Sequence, residues 1–253
     1  MFQQERQEQI LSLLRENQSI RIAHLAMLLG VTRETIRKDL YELEQQGFIK
    51  KVHGGAMLNK TNAEPSYTKR SQTNTAEKER IAAKAAEYVE DGDSIYIDIG
   101  TTTLLFAQKL KQRNQLTVIT NSIPVAAELA KYPGVKVIMC GGEVRGEELA
   151  LSGPLAIQSL QNIYIDKAFI GVGGLSVEGG FTDYHIGESE LRKMMLAHAK
   201  ERYALMDHSK AHITAFYKTA NVQDLDVVIT DKQTHPNILK YLTDNGVEVV
   251  LAD

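Results

Sequence analysis

The sequence predicts an α/β protein in two parts, a winged helix-turn-helix at the N-terminus and a mostly parallel, helix-covered sheet behind it. Three observations carry this. Residues 20–40 read as two short helices around a tight turn, followed at once by a basic hairpin closed by Gly54-Gly55. A polar, proline-interrupted stretch then breaks the pattern at 59–74. Beyond Gly92, short apolar runs recur, each ending in small polar residues and mostly followed by helical periodicity. The expected domains are therefore 3–58 (helix-turn-helix at about 20–39), a linker over 59–74, and a ligand-binding α/β domain over 75–253.

The first helix is expected over Gln3–Asn17, with Ile10, Leu11, Leu13 and Leu14 as its apolar stripe. In the helix-turn-helix, Gly30 suits the bend because it tolerates positive φ, and Thr32 suits the N-cap of the second helix. Ile36, Leu40 and Leu43 recur at i, i+4, i+7 and mark a buried stripe. At about 100° per residue, Glu34, Lys38, Tyr41 and Gln45 face directly away, flanked by Thr35 and Arg37. That face is what a recognition helix presents to a major groove. Gly47 is expected to cap the helix, and Phe48–Gly55 alternates apolar and basic residues as a two-stranded wing does. Arg33, Thr35, Arg37, Lys38 and Tyr41 are the candidate groove and phosphate contacts, with Lys50, Lys51 and His53 gripping the backbone. An ordinary helical hairpin, or a winged helix that docks protein, is the alternative.

Composition narrows the class. Hydrophobic content of 43% and charged content of 24% are ordinary for a globular chain of 253 residues. No apolar run approaches membrane-spanning length, and the N-terminus lacks a signal-peptide layout. The single cysteine, Cys140, excludes an intramolecular disulfide framework, fits a reducing cytoplasm, and ends an apolar run as a buried thiol would. Net charge is −3, but residues 1–60 hold nine Lys/Arg against seven Asp/Glu and the remainder twenty against twenty-five. A basic head on an acidic body fits DNA binding by the head. A surplus of +2 neutralises few phosphates, so two or more copies are expected to act together, as a homodimer or homotetramer on repeated half-sites of double-stranded DNA.

In the body, Asn74 with Glu77 resembles a capping box opening a helix through Val89. Seven strand-like runs follow: 94–99, 116–120, 135–140, 168–172, 202–206, 227–230 and 248–252. Ligands in such sheets sit beyond the carboxyl ends of the strands. The residues there are candidates for an anion site: Asp98, Gly100, Thr101, Thr102, Thr103, Asn121, Ser122, Gly141, Gly142, Gly173, Gly174 and Lys210. A glycine admits the backbone to an anion, and threonine hydroxyls with helix N-terminal N–H groups surround phosphate oxygens. A capped strand-to-helix turn is the plainer account. Asp98 also suits a sugar hydroxyl, and Lys210 adds a cation. Asp183, Glu188 and Glu190 follow Gly179-Gly180 at the entrance to a helix over 188–198, where they either answer the macrodipole or serve polyol recognition or base chemistry. The histidines show no metal-ligand spacing, and neither a P-loop lysine motif nor a dinucleotide glycine fingerprint is present, so no cofactor is expected.

Together the two halves resemble the DeoR family of bacterial sugar-metabolism regulators over essentially the whole chain. The head carries Thr35-Ile36-Arg37-Lys38-Asp39-Leu40 and Lys51-Val52-His53-Gly54-Gly55-Ala56. The body carries Asp98-Ile99-Gly100-Thr101-Thr102, Thr120-Asn121-Ser122, Gly141-Gly142, Gly171-Val172-Gly173-Gly174 and Asp207-His208-Ser209-Lys210. The resemblance implies a cytoplasmic repressor released by a phosphorylated sugar, with a sensor domain related to ribose-5-phosphate isomerases. Those isomerases carry an acidic Gly-Ala-Asp-Glu loop where this chain has Gly171-Val172-Gly173-Gly174, which implies binding without turnover. A sugar-phosphate isomerase or transferase with an accessory helical domain is the alternative.

Overall fold

The computed structural model describes residues 3–17, 19–45, 49–52, 54–58, 64–146 and 148–253. The chain divides into two compact units, residues 1–63 and 64–253.

In the first unit, α1 (Gln3–Asn17), β1 (Ser19–Arg21), α2 (Ile22–Leu29) and α3 (Arg33–Gln45) precede the wing strands β2 (Ile49–Val52) and β3 (Gly55–Leu58). Ile10, Leu14, Leu25, Ile36 and Leu40 are fully buried in one core, where the helical spacing of the apolar residues puts them. Gly30 ends α2 at φ 64°, and Thr32 Oγ1 accepts the Thr35 N–H at 3.1 Å to open α3. Arg6 and Asp39 form a buried ion pair between α1 and α3. The sequence does not announce β1, which is only three residues long, yet it pairs antiparallel with β3. The Gly54-Gly55 pair is explained by it. Gly54 adopts φ 77°, and a Cβ on Gly55 would come within 2.4 Å of the Ile20 carbonyl on β1. The Gly47 cap and His53 lie outside the described residues.

The second unit opens with α4 (Tyr67–Gln72) and α5 (Thr75–Ala86). Its large sheet comprises β4 (Ser94–Ile97), β5 (Leu116–Thr120), β6 (Val135–Met139), β9 (Ile165–Gly171), β12 (Ala199–Leu205), β14 (Val227–Asp231) and β15 (Glu248–Ala252). Their spatial order is β15-β14-β12-β9-β4-β5-β6, and every neighbouring pair is parallel. These are the seven predicted runs. The intervening helices are α6 (Thr101–Lys109), α7 (Ile123–Leu129), α8 (Pro154–Leu160), α9 (Ile186–Ala197) and α10 (Pro236–Asp244). Alternate strand residues feed two cores, one around Phe106, Phe169 and Tyr203 and the other around Tyr96, Ile170, Leu191 and Met195. Burial on both faces is why the strands read as continuous apolar runs.

Two small sheets were not legible: the hairpin of β7 (Glu143–Arg145) and β8 (Ala150–Ser152), and the trio β10 (Gly174–Ser176), β11 (Gly180–Asp183) and β13 (Tyr217–Ala220). Strands of three or four residues are too short to display a period.

Three expectations need correction. Residues 64–74 are not linker: they carry α4 and are bound into the second unit through Glu64 and Arg70. The polar composition that suggested a linker is instead a set of charged partners. Asn74 precedes α5 but does not cap it, because its side chain donates to Asp207 at 2.8 Å and its backbone adopts φ 52°; the helix stops at Ala86 rather than Val89. The helix expected over 188–198 begins two residues earlier, at Ile186.

Candidate functional site

The large sheet has a switch point at β4. From there the chain adds β5 and β6 on one side, then returns to add β9, β12, β14 and β15 on the other. Open α/β sheets place ligands in the crevice where strand order reverses, outside the carboxyl ends. A cleft lies at this position. It is lined by residues 99–103 after β4, 171–173 after β9, and 205–207 with Lys210 after β12. Glu64, Arg70 and Lys78 close it from the front segment, and Asp183 and Arg192 from β11 and α9.

The cleft suits an anion for three reasons. Helix α6 starts at Thr101 with Gly100 in the N-cap position and no side-chain cap, so its first-turn N–H groups remain available. Gly100 adopts φ 148°, which brings the turn close under the helix end. The Lys210 ammonium makes no hydrogen bond among the described residues, and burial lowers its pKa; Lys78 is pushed down by burial to about 8. Asp207, accepting from Asn74 and from the Ser209 backbone and hydroxyl, holds the turn that presents Lys210. Arg70 adds a guanidinium.

Arg192 is the hub beneath the cleft. It donates from Nε to Asp98 at 2.5 Å and from Nη1 to Asp183 at 2.7 Å, and all three side chains are buried. Asp98 also accepts the Gly171 N–H at 3.2 Å, which ties the turns after β4 and β9 together. Burial lifts the Asp98 carboxyl above its ordinary value even against Arg192. At Asp183 burial pushes the same way, but Arg192 and the Tyr184 N–H outweigh it and hold the carboxyl low.

Of the candidate residues, Gly100, Thr101, Thr102, Thr103, Gly173, Asp183 and Lys210 line the cleft. The other seven do not. Asp98 serves Arg192 and Gly171. Asn121 lies buried against the Tyr96 hydroxyl, and Ser122 caps α7 by accepting the Val125 N–H. Gly141 and Gly142 turn the chain after β6, where a Cβ on Gly142 would meet the Ser152 carbonyl at 2.5 Å. Gly174 belongs to β10, packed on Ile213. Glu188, fully buried, takes two bonds from Arg145 at 2.7 and 2.9 Å, and burial still lifts its carboxyl to about 7. Thr103 lines the cleft, but its hydroxyl already donates to the Gly100 carbonyl.

Arg70, Lys78 and Arg192 were missed. Arg70 fell in the supposed linker, while Lys78 and Arg192 read as ordinary helix charges. A signal existed for the last two: each sits where its helix should bury a residue, beside Ile81-Ala82 and Leu191.

In the first unit, Arg33, Arg37, Lys38, Tyr41 and Lys50 are exposed, and Thr35 is half-buried. Thr35, Arg37, Lys38, Tyr41 and Lys51 border one groove. Arg37 pairs with Glu34 at 2.9 Å on the open surface, a contact weak enough to exchange for a phosphate. Lys51 pairs with Glu44 at 3.1 Å and lies over the Tyr41 ring at 4.9 Å, which holds the wing against α3.

Comparison with known proteins agrees with both halves. A DeoR-like helix-turn-helix domain matches residues 6–62, and the DeoR C terminal sensor domain matches 73–232. The chain belongs to the DeoR family. It is 36% identical over 254 residues to the HTH-type transcriptional regulator GolR of Listeria innocua, covering all of both chains. Identity is also 36% to the HTH-type transcriptional repressor GlcR of Bacillus subtilis, over 100% of this chain and 98% of that one. The glycerol-3-phosphate regulon repressor of Escherichia coli is 29% identical over 99% of this chain and 100% of its own. Among solved structures, ribose 5-phosphate isomerase A from Methanocaldococcus jannaschii superposes with a TM-score of 0.42 and 21% identity over 55% of each chain. This DeoR-family chain is a DNA-binding transcriptional regulator. No described helix is long and apolar enough to cross a membrane.

Proposed function

We propose that this DeoR-family regulator is a cytoplasmic repressor whose first unit holds operator DNA and whose second unit releases it on binding a phosphorylated sugar. The observation that carries the effector class is the switch-point cleft, where an uncapped helix N-terminus faces Lys210, Lys78 and Arg70. A phosphate matches that set, and Asp183, Thr101 and Thr102, which also line the cleft, offer oxygens for sugar hydroxyls. Arg33, Thr35, Arg37, Lys38 and Tyr41 read the groove, with Lys50, Lys51 and His53 on phosphates. The small positive surplus of the head calls for at least two heads per operator, and so for a homo-oligomer.

Binding without catalysis is the favoured reading, because the carboxylates nearest the cleft floor are engaged. Arg192 occupies both Asp98 and Asp183, so neither is free to shuttle a proton. Steady turnover of a pentose or hexose phosphate by the purified protein would establish the enzyme reading instead.

The test is a gel shift with a panel of sugar phosphates. Arg37→Ala should lose operator retention with its circular dichroism unchanged, and Lys210→Ala should retain DNA but no longer release it. Retention by the first variant, or release of the second by every active sugar phosphate, rejects the assignment.

A further inference from the structure

Helix α4 buries none of its residues, so charge rather than apolar packing holds it. Arg70 ion-pairs with Glu64 and with Glu148, and Glu64 also accepts from Arg145 at 2.8 Å. Arg145 in turn holds Glu188. The chain Glu148–Arg70–Glu64–Arg145–Glu188 therefore sets three carboxylates against two guanidiniums, and Glu148 and Glu188 are buried. Arg70 lines the cleft with its Nε buried and without a hydrogen-bond partner. On the cleft side, Lys78 donates to the Arg70 carbonyl. Glu64 is the first residue of the second unit.

We propose that Arg70 is an anion-operated latch: a phosphate group in the cleft takes its guanidinium from Glu64 and Glu148, which leaves Arg145 alone to hold Glu64 and loosens the start of the second unit. The inference rests on the cleft being the phosphate site. Arg192 cannot play this part, because it is clasped by Asp98, just past β4, and Asp183, at the end of β11, and all three are buried. Arg70 can, because it sits on the short helix α4 and its partners lie outside regular elements, Glu64 ahead of that helix and Glu148 in a turn. Losing Arg70 leaves Glu64 and Glu148 as like charges in a network already rich in carboxylate, which favours their separation. The coupling runs both ways, so whatever weakens the carboxylate hold must strengthen the anion.

The experiment uses the full chain and inorganic phosphate, with affinity from calorimetry and amide exchange from mass spectrometry over residues 64–72. Phosphate should accelerate exchange in that segment of the wild type. Glu64→Gln and, separately, Glu148→Gln should show fast exchange without phosphate and bind it about fivefold or more tightly. Wild-type binding with unchanged exchange over 64–72, together with unchanged affinity in both variants, overturns the latch and leaves the cleft reading standing. Phosphate that binds neither the wild type nor Lys210→Ala at millimolar concentration, or both equally, overturns the cleft reading and the latch with it. Arg70→Lys separates charge from geometry. It should bind phosphate less tightly than wild type, since an ammonium lacks the two-pronged fit, and equal affinity counts against the assignment.

Discussion

Lys78 and Arg192 are both buried cations, and their neighbours make them opposites. Arg192 is neutralised by Asp98 and Asp183 and acts as a structural clasp. Replacing it with Leu strands two buried carboxylates, and urea denaturation should show a loss of about 3–5 kcal/mol; a loss under about 1 kcal/mol would mean the clasp is dispensable. Among the described residues the Lys78 ammonium has only the Arg70 carbonyl as acceptor, and burial lowers its pKa to about 8. Its charge is therefore present at pH 7 and lost as pH rises through 8, while a phosphate monoester is already dianionic, with a second pKa of about 6. Sugar-phosphate affinity should fall between pH 7 and 9. Lys78→Arg, which keeps its charge, should flatten the fall, and an identical profile in that variant would point to Lys210 instead. For folding, the sign is set by the same depression: a lysine with a lowered folded pKa opposes the folded state most where it must be charged, so this contribution improves as pH rises through 8 toward 10.5.

Within the reader, the turn between α2 and α3 is set by two residues whose jobs are separable. Gly30 sits at φ 64° with no atom near the position a Cβ would take, so Gly30→Ala meets backbone strain but no clash. The expected cost is about 1 kcal/mol. Thr32→Ala removes the hydroxyl that accepts the Thr35 N–H and should also cost about 1 kcal/mol. Ile36 is fully buried, and Ile36→Ala should cost about 2–5 kcal/mol. Chemical denaturation of the full chain, followed by a probe in the reader, ranks the three; a Gly30→Ala loss as large as that of Ile36→Ala would mean the turn is packed rather than merely bent. These helices were readable because their signals are local: a cap, a positive-φ turn and a 3.6-residue stripe. Strand β1 was not, because it exists only by pairing with β3 across more than thirty residues of chain.

Taken whole, the chain joins a weakly cationic DNA-binding unit to a second unit whose cleft is lined by Arg70, Lys78 and Lys210. If two heads grip one operator, Lys50→Ala removes one phosphate contact from each. The slope of log affinity against log salt should then shrink by about two, at roughly 0.9 per phosphate neutralised. A change of about one indicates a single head, and no change places Lys50 off the DNA. This arithmetic makes the salt series a measure of assembly as well as of contact.

The class of each half was written in short-range patterns. Continuous apolar runs mark strands buried on both faces, and all seven entered one parallel sheet. Thr101 and Lys210 could be singled out because strand-end positions follow from where the runs stop. Which strand ends meet was beyond such patterns, since strand order is a long-range property. The switch at β4 brought the turns after β4, β9 and β12 to one crevice and left those after β5 and β6, with Asn121 and Gly142, outside its lining. Arg70, Lys78 and Arg192 joined the site for the same reason: a charge on a helix or in a polar stretch acquires its role only from the partner that packing sets opposite it. Side-chain chemistry along the chain marked Thr101 and Lys210 as groups that suit an anion, while the cleft they line depended on contacts between residues up to about 130 positions apart, such as Asn74 with Asp207.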